Sequence, residues 1–259
     1  MYNNYRYNNI YFTGDFKNQL FNGIVKAKDS NLDFEFKGLA DLSKKESKFD
    51  FGVKVKHADL HALNFVQNDS ISKFKGNIII DGQGNSIDNV IGEIQFRDLQ
   101  YTNSRGNYTL ENFEVKSSMD NEGIKKIQIN SPDIINGYVT GTYKVAEIKK
   151  IFQNAFGSIY AHFKPYKIAE NQFINFDFTV NNKIIEIFAP EVQIGKNTSL
   201  QGKIVADDGS FKMQFKSSDI KAYDYKNQKN INLKIDNKNP LYNTYLEVGD
   251  VDFRRLQNQ

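Results

Sequence analysis

Few residues in this chain have the types and spacing that chemistry needs. His57 and His61 stand four apart, which on a helix would point both imidazoles from one face as a metal pair. The third histidine, His162, is remote and no HExxH surrounds the pair, so they read as surface histidines. Asp81-Gly82-Gln83-Gly84-Asn85-Ser86-Ile87-Asp88-Asn89 carries calcium-type oxygen ligands, but not in the register of an EF-hand, and fits a loop between strands better. Gly82-Gln83-Gly84 lacks the third glycine and the following helix of a dinucleotide fingerprint, and no Walker A loop or GxSxG elbow occurs. Asp207/Asp208 or Glu111/Glu114 would serve a glycosidase only with their groups roughly 5–10 Å apart. Asp207-Asp208-Gly209 is better explained as a hairpin turn. The absence of Cys excludes disulfides, thiol nucleophiles and cysteine–zinc sites. The expectation is a non-enzymatic chain with no cofactor and no metal.

Charge adds little. The 34 basic and 31 acidic residues interleave to a net +3, which leaves no footprint for nucleic acid. No segment approaches the roughly 18 uninterrupted apolar residues of a membrane span, and the first residues lack the basic region and apolar run of a signal peptide. Only 39% of residues are apolar, yet 21 Phe and 14 Tyr recur along the whole length, with no Trp. Such strand formers argue for a folded β protein.

The elements follow from period-two alternation, which sends every second side chain to the same sheet face. Phe49, Phe51, Val53 and Val55 alternate with Asp50, Gly52, Lys54 and Lys56, and similar runs are Leu32/Phe34/Phe36, Phe113/Val115, Ile127/Ile129, Ile174/Phe176/Phe178/Val180, Phe211/Met213/Phe215 and Ile231/Leu233/Ile235. Strands buried on both faces would read as continuous apolar runs, so these are wet on one side. Asn-, Asp- and Gly-rich turns between them, such as Asp120-Asn121-Glu122-Gly123, Asn181-Asn182 and Asp207-Asp208-Gly209, predict an up-and-down antiparallel meander. Two stretches depart from it: Leu60, Leu63 and Val66 in 58–66, and Ile148, Ile151, Phe152, Ala155, Phe156 and Ile159 in 146–163, have helical spacing, the second closed by Pro165. Val55–Leu63 aligns with Tyr143–Ile151, a weak repeat of a strand-into-helix unit around 49–66 and 137–163 within one elongated segment, 1–259. Two short helices cannot cover the apolar face of so many strands. The sheet must fold onto itself as a sandwich, barrel or curled half-pipe, or hold an apolar ligand.

The run Ile129-Asn130-Ser131-Pro132-Asp133-Ile134-Ile135-Asn136-Gly137-Tyr138-Val139-Thr140-Gly141-Thr142-Tyr143, the following Phe156-Gly157-Ser158-Ile159-Tyr160, and Leu200-Gln201-Gly202-Lys203-Ile204-Val205-Ala206-Asp207-Asp208-Gly209 resemble the Bacteroidetes branch of the TamB family, the translocation and assembly module of the AsmA-like superfamily. Lys56-His57-Ala58-Asp59-Leu60-His61-Ala62-Leu63 is similar to its strand-then-helix elements. The resemblance implies an all-β fold, an elongated meander curled into a one-sided apolar groove of the β-taco kind. It also implies a periplasmic segment of a protein anchored in the inner membrane, working with an Omp85-type outer-membrane barrel. On that reading phospholipid or other apolar cargo lies along Phe34, Phe36, Phe49, Phe51, Val53, Val55, Ile94, Phe96, Phe113, Val115, Ile174, Phe176, Phe178, Phe211, Met213, Phe215, Ile231, Leu233 and Ile235. The alternative is a scaffold or chaperone-like surface for assembling outer-membrane proteins. A segment cut from a longer sheet would also self-associate edge to edge, near Ile10-Tyr11-Phe12 or Tyr245-Leu246-Glu247-Val248.

Overall fold

In the computed structural model of the chain, which describes residues 2–43, 45–159, 162–189, 191–222 and 226–253, the fold is all-β with two short α-helices. The chain separates into two units, Met1–Ser118 and Met119–Gln259. No shift of composition marks this division, because the same alternation runs through it.

The first unit is an antiparallel meander of β1 (Ile10–Lys17), β2 (Leu20–Asp29), β3 (Leu32–Asp41), β4 (Lys48–Asp59), β5 (Ser72–Gln83) and β6 (Ile91–Asn103), each paired with the next. Beyond them β7 (Gly106–Leu110) and β8 (Phe113–Met119) divide the length of β6 between them. Asn18 and Gln19, both at positive φ, make the two-residue turn that joins β1 to β2, the geometry whose twist matches that of the flanking strands.

In the second unit β9 (Lys125–Asn130), β10 (Ile135–Thr142), β11 (Phe173–Val180), β13 (Thr198–Val205), β14 (Ser210–Ala222) and β15 (Lys226–Asp236) pair antiparallel in that order. The short β12 (Val192–Ile194) extends the β13 edge of β14, while β16 (Thr244–Glu247) and β17 (Asp250–Phe253) share the edge of β15. Among the described residues neither meander closes on itself.

The helices differ from the sequence expectation. Residues 58 and 59 complete β4, and 60–65 form one turn instead of a helix. Asp59 holds it, its carboxylate accepting the Ala62 N–H at 3.0 Å and its carbonyl the Leu63 N–H at 3.0 Å, and Asn64 at φ 63° ends it. Helical spacing kept for under two turns cannot offset the cost of nucleation. The second helix, α1, spans Ile148–Gly157 after a 3-10 turn, shorter than 146–163; of that span Tyr160 and Ala161 lie outside the described residues. It stops because the Phe163 ring packs onto Gly157, where a Cβ would approach ring carbons to 2.4 Å, and Asn154 pairs with the backbone of Tyr166 through both amide atoms. A helix the alternation did not announce, α2 (Asn182–Phe188), begins at Asn181-Asn182, where a hairpin turn was expected. There Asn182 Oδ1 accepts the Ile194 N–H at 2.9 Å, tying the start of α2 to β12.

Candidate functional site: the apolar sheet face

Antiparallel register puts paired residues on one face, so the pairings trace rows across the strands. In the first unit Phe12, Val25, Phe36, Val53, Ile78, Phe96 and Phe113 make one row. Gly14, Gly23, Gly38, Phe51, Ile80, Ile94 and Val115 make the next, flanked by Phe16, Phe21, Ala40 and Phe49 on one side and Ile10, Ala27, Phe34 and Val55 on the other. Aromatic contacts run between rows, Phe21–Phe36 at 5.8 Å and Phe36–Phe51 at 4.6 Å, and along one of them, stacked Phe96–Phe113 at 4.5 Å between centroids. The opposite face is charged, with Lys26 and Glu35 paired at 2.9 Å and Lys116 bridging Glu93 and Glu114.

Two bulged strands keep the face apolar near one rim. One extra residue on β4 after Val55 and another on β6 at Asp98, which sits at φ 53°, shift the parity so that Ala58, Leu99 and Tyr101 continue the face of Phe34 and Phe96. Such bulges bend a strand and raise its twist. The glycine row acts in the same sense. Gly38, at φ 142°, brings its Cα so near β4 that a Cβ would lie 2.5 Å from the Phe51 Cα, an approach open only to glycine.

Each unit has its own apolar sheet face, and what covers that face differs between the units. In the second unit α1 lies on it: Ile151 and Ala155 join Tyr143, Ile174, Phe176, Ile204, Phe211 and Ile235 in a buried cluster, with Phe152 against Phe176 and Phe156 against Phe211. Phe178, Met213 and Leu233 pack at its border. Within it the Tyr143 hydroxyl has no hydrogen-bond partner among the described residues, and burial pushes its pKa up. In the first unit the described residues contain no helix, and the only large side chain buried to 1% exposure is Leu63, in the turn between β4 and β5.

The sequence-derived lining residues therefore fall into two groups. Phe34, Phe36, Phe49, Phe51, Val53, Val55, Ile94, Phe96, Phe113 and Val115 share the face of the first unit, all half-buried. Ile174, Phe176, Phe211, Ile231 and Ile235 are buried in the second, while Phe178, Met213, Phe215 and Leu233 are half-buried. Sequence reasoning missed Phe21, Val25, Ile78 and Ile80 on the first face. Gly23 interrupts the alternation of the first two, and the continuous Ile78-Ile79-Ile80 hides that of the others.

The polar motifs have structural partners. His57 lies in β4, whereas His61 lies in the turn with Nδ1 3.1 Å from the Val66 carbonyl, so no helical face unites them. Asn89 Oδ1 accepts the N–H groups of Asn85 and Ser86, at 2.9 and 2.8 Å, closing its own loop. Asp208 accepts the Ser210 N–H and Asp207 the Asn171 N–H, both at 2.8 Å. On the polar face of the second unit an open concavity of about 440 Å³ is lined in part by Gln201 and Gln214, whose side chains hydrogen-bond each other at 3.0 Å.

Each unit is thus an open antiparallel meander with one apolar and one polar, charged side. Comparisons with protein-family models, curated proteins and solved structures give no match to this chain.

Proposed function

We propose that the chain is a β-groove segment of an envelope-biogenesis protein, and that the apolar face of its first unit takes up phospholipid acyl chains. The observation that carries this reading is that face itself: rows of Phe, Ile and Val, exposed in β1 and half-buried across β2 to β6 and β8, with no helix among the described residues to cover them. Apolar surface of this extent in water is costly, and an acyl chain relieves it by on the order of 0.8 kcal/mol per buried CH₂. Such contacts have little direction, so a chain bound there can slide along the rows. The likeness of 129–143, 156–160, 200–209 and 56–63 to the TamB family supports a periplasmic setting, passage between inner and outer membrane, and an Omp85-type partner.

The test is native mass spectrometry and lipid extraction on the purified protein, with Phe36→Glu and Phe51→Glu beside Phe36→Leu and Phe51→Leu. Bound phospholipid is expected in the parent and both Leu variants. It should fall at least tenfold in the Glu variants, which stay folded because a half-buried carboxylate remains wet. A lipid-free parent, or Glu variants that unfold, would overturn the reading. Polypeptide trapped in place of lipid would favour the scaffold alternative.

A further inference from the structure

We propose that the outer edge of β1 is an interface with a second copy of this chain, antiparallel and centred on Thr13. Among the described residues no strand pairs with that edge, and every residue of β1 is exposed, Phe12 to 71% and Phe16 to 77%. The Lys28 N–H donates to the Asn9 carbonyl, and the two-residue turn makes Lys17 and Leu20 a hydrogen-bonded pair. Odd-numbered residues of β1 therefore turn their backbone groups toward β2, and Ile10, Phe12, Gly14 and Phe16 turn theirs outward. These four also point their Cα substituents to the apolar face.

That coincidence makes the edge self-complementary. With a two-fold axis perpendicular to the sheet at Thr13, Phe12 of each copy pairs with Gly14 of the other, and Ile10 with Phe16. Each phenyl of Phe12 then lies over a residue with no side chain, a pairing that shields an exposed edge glycine. On the opposite face Tyr11 meets Asp15 and Thr13 meets Thr13. A register one residue off would place Phe12 beside Asp15 and join an apolar face to a polar one. In the matched register both apolar faces lie on the same side, so two copies present one continuous surface. An isologous contact of this kind closes at the dimer.

The chain has no Cys, which makes a cysteine scan clean. Across the axis the two Thr13 Cα atoms form a non-hydrogen-bonded pair about 4.5 Å apart, within the roughly 4.4–6.8 Å that a disulfide spans. The two Tyr11 residues are four positions out of step, about 13 Å along the strand. On mild oxidation Thr13→Cys is expected to give covalent dimer and Tyr11→Cys none. Sedimentation of the parent should show a mass rising with concentration towards twice the monomer value. Phe12→Lys should abolish the rise, and Phe12→Pro likewise, since the N–H it removes points away from β2. A strict monomer, or equal cross-linking at 11 and 13, overturns the proposal. Run on lipid-stripped protein, the experiment stands apart from the lipid reading.

Discussion

Asp29 shows how one side chain fastens a rim of the first sheet. It is a buried acid at the end of β2. It accepts the Asn31 N–H at 3.0 Å, the Tyr5 hydroxyl and the Asn8 N–H at 2.9 Å, so the segment before β1 is tied to the β2–β3 turn. The Asn31 backbone bond first, then the Tyr5 hydroxyl, lower its pKa to about 2, outweighing the effect of burial. The folded value lies below that of an unfolded Asp, roughly 3.9. Its contribution is therefore whole above about pH 4 and is lost as pH falls through about 2. Denaturant melts between pH 5 and pH 2 should show a fall in stability that is smaller in Asp29→Asn. An equal fall in both would assign the acid sensitivity elsewhere.

At the scale of elements, the repeat joining Val55–Leu63 to Tyr143–Ile151 has one constant and one variable. The constant is the second aliphatic, since Leu63 and Ile151 are each 1% exposed. The variable is the acid: Asp59 closes a local turn, whereas Glu147 accepts from the Ala169 N–H at 3.0 Å and the Gln172 side chain at 2.7 Å, fixing the start of α1 against the approach to β11. The same kind of insertion between two paired strands thus yields one anchored turn in the first unit and a covering helix in the second. Ile151→Ala and Leu63→Ala should each cost about 2–5 kcal/mol by chemical denaturation. Only Leu63→Ala should leave α1 helicity intact by circular dichroism. A loss below about 1 kcal/mol at either site would mean that the anchor is not a packing anchor.

Over the whole molecule, the difference in cover predicts a difference in stability. The second unit has a buried cluster of aromatic and aliphatic side chains beneath α1. Apart from Leu63, the first unit buries only Ala27, Ala58 and Leu99 among its described apolar residues. Amide hydrogens of β11, β13 and β14 should therefore exchange more slowly than those of β2 to β5 in lipid-free protein. Added phospholipid should slow exchange in β2 to β5 selectively. Uniform protection across both sets would argue that the first face is not open.

The alternation Phe49/Phe51/Val53/Val55 determined by itself that β4 is a half-wet strand, and Asp207-Asp208-Gly209 that a turn follows β13, because side-chain period and turn chemistry are local properties. The spacing of Ile148, Ile151, Phe152 and Ala155 likewise announced α1. Tertiary structure decided the rest. Phe36 and Phe176 have the same alternation around them, yet one is half-buried and the other 5% exposed. The difference lies in whether an element from elsewhere in the chain lands on them. Leu60, Leu63 and Val66 have helical spacing, but Asn64 turns left-handed where Asn3 donates to its carbonyl at 2.6 Å, a contact spanning 61 residues. Burial and helix length depend on such long-range contacts, which periodicity in a short window does not contain.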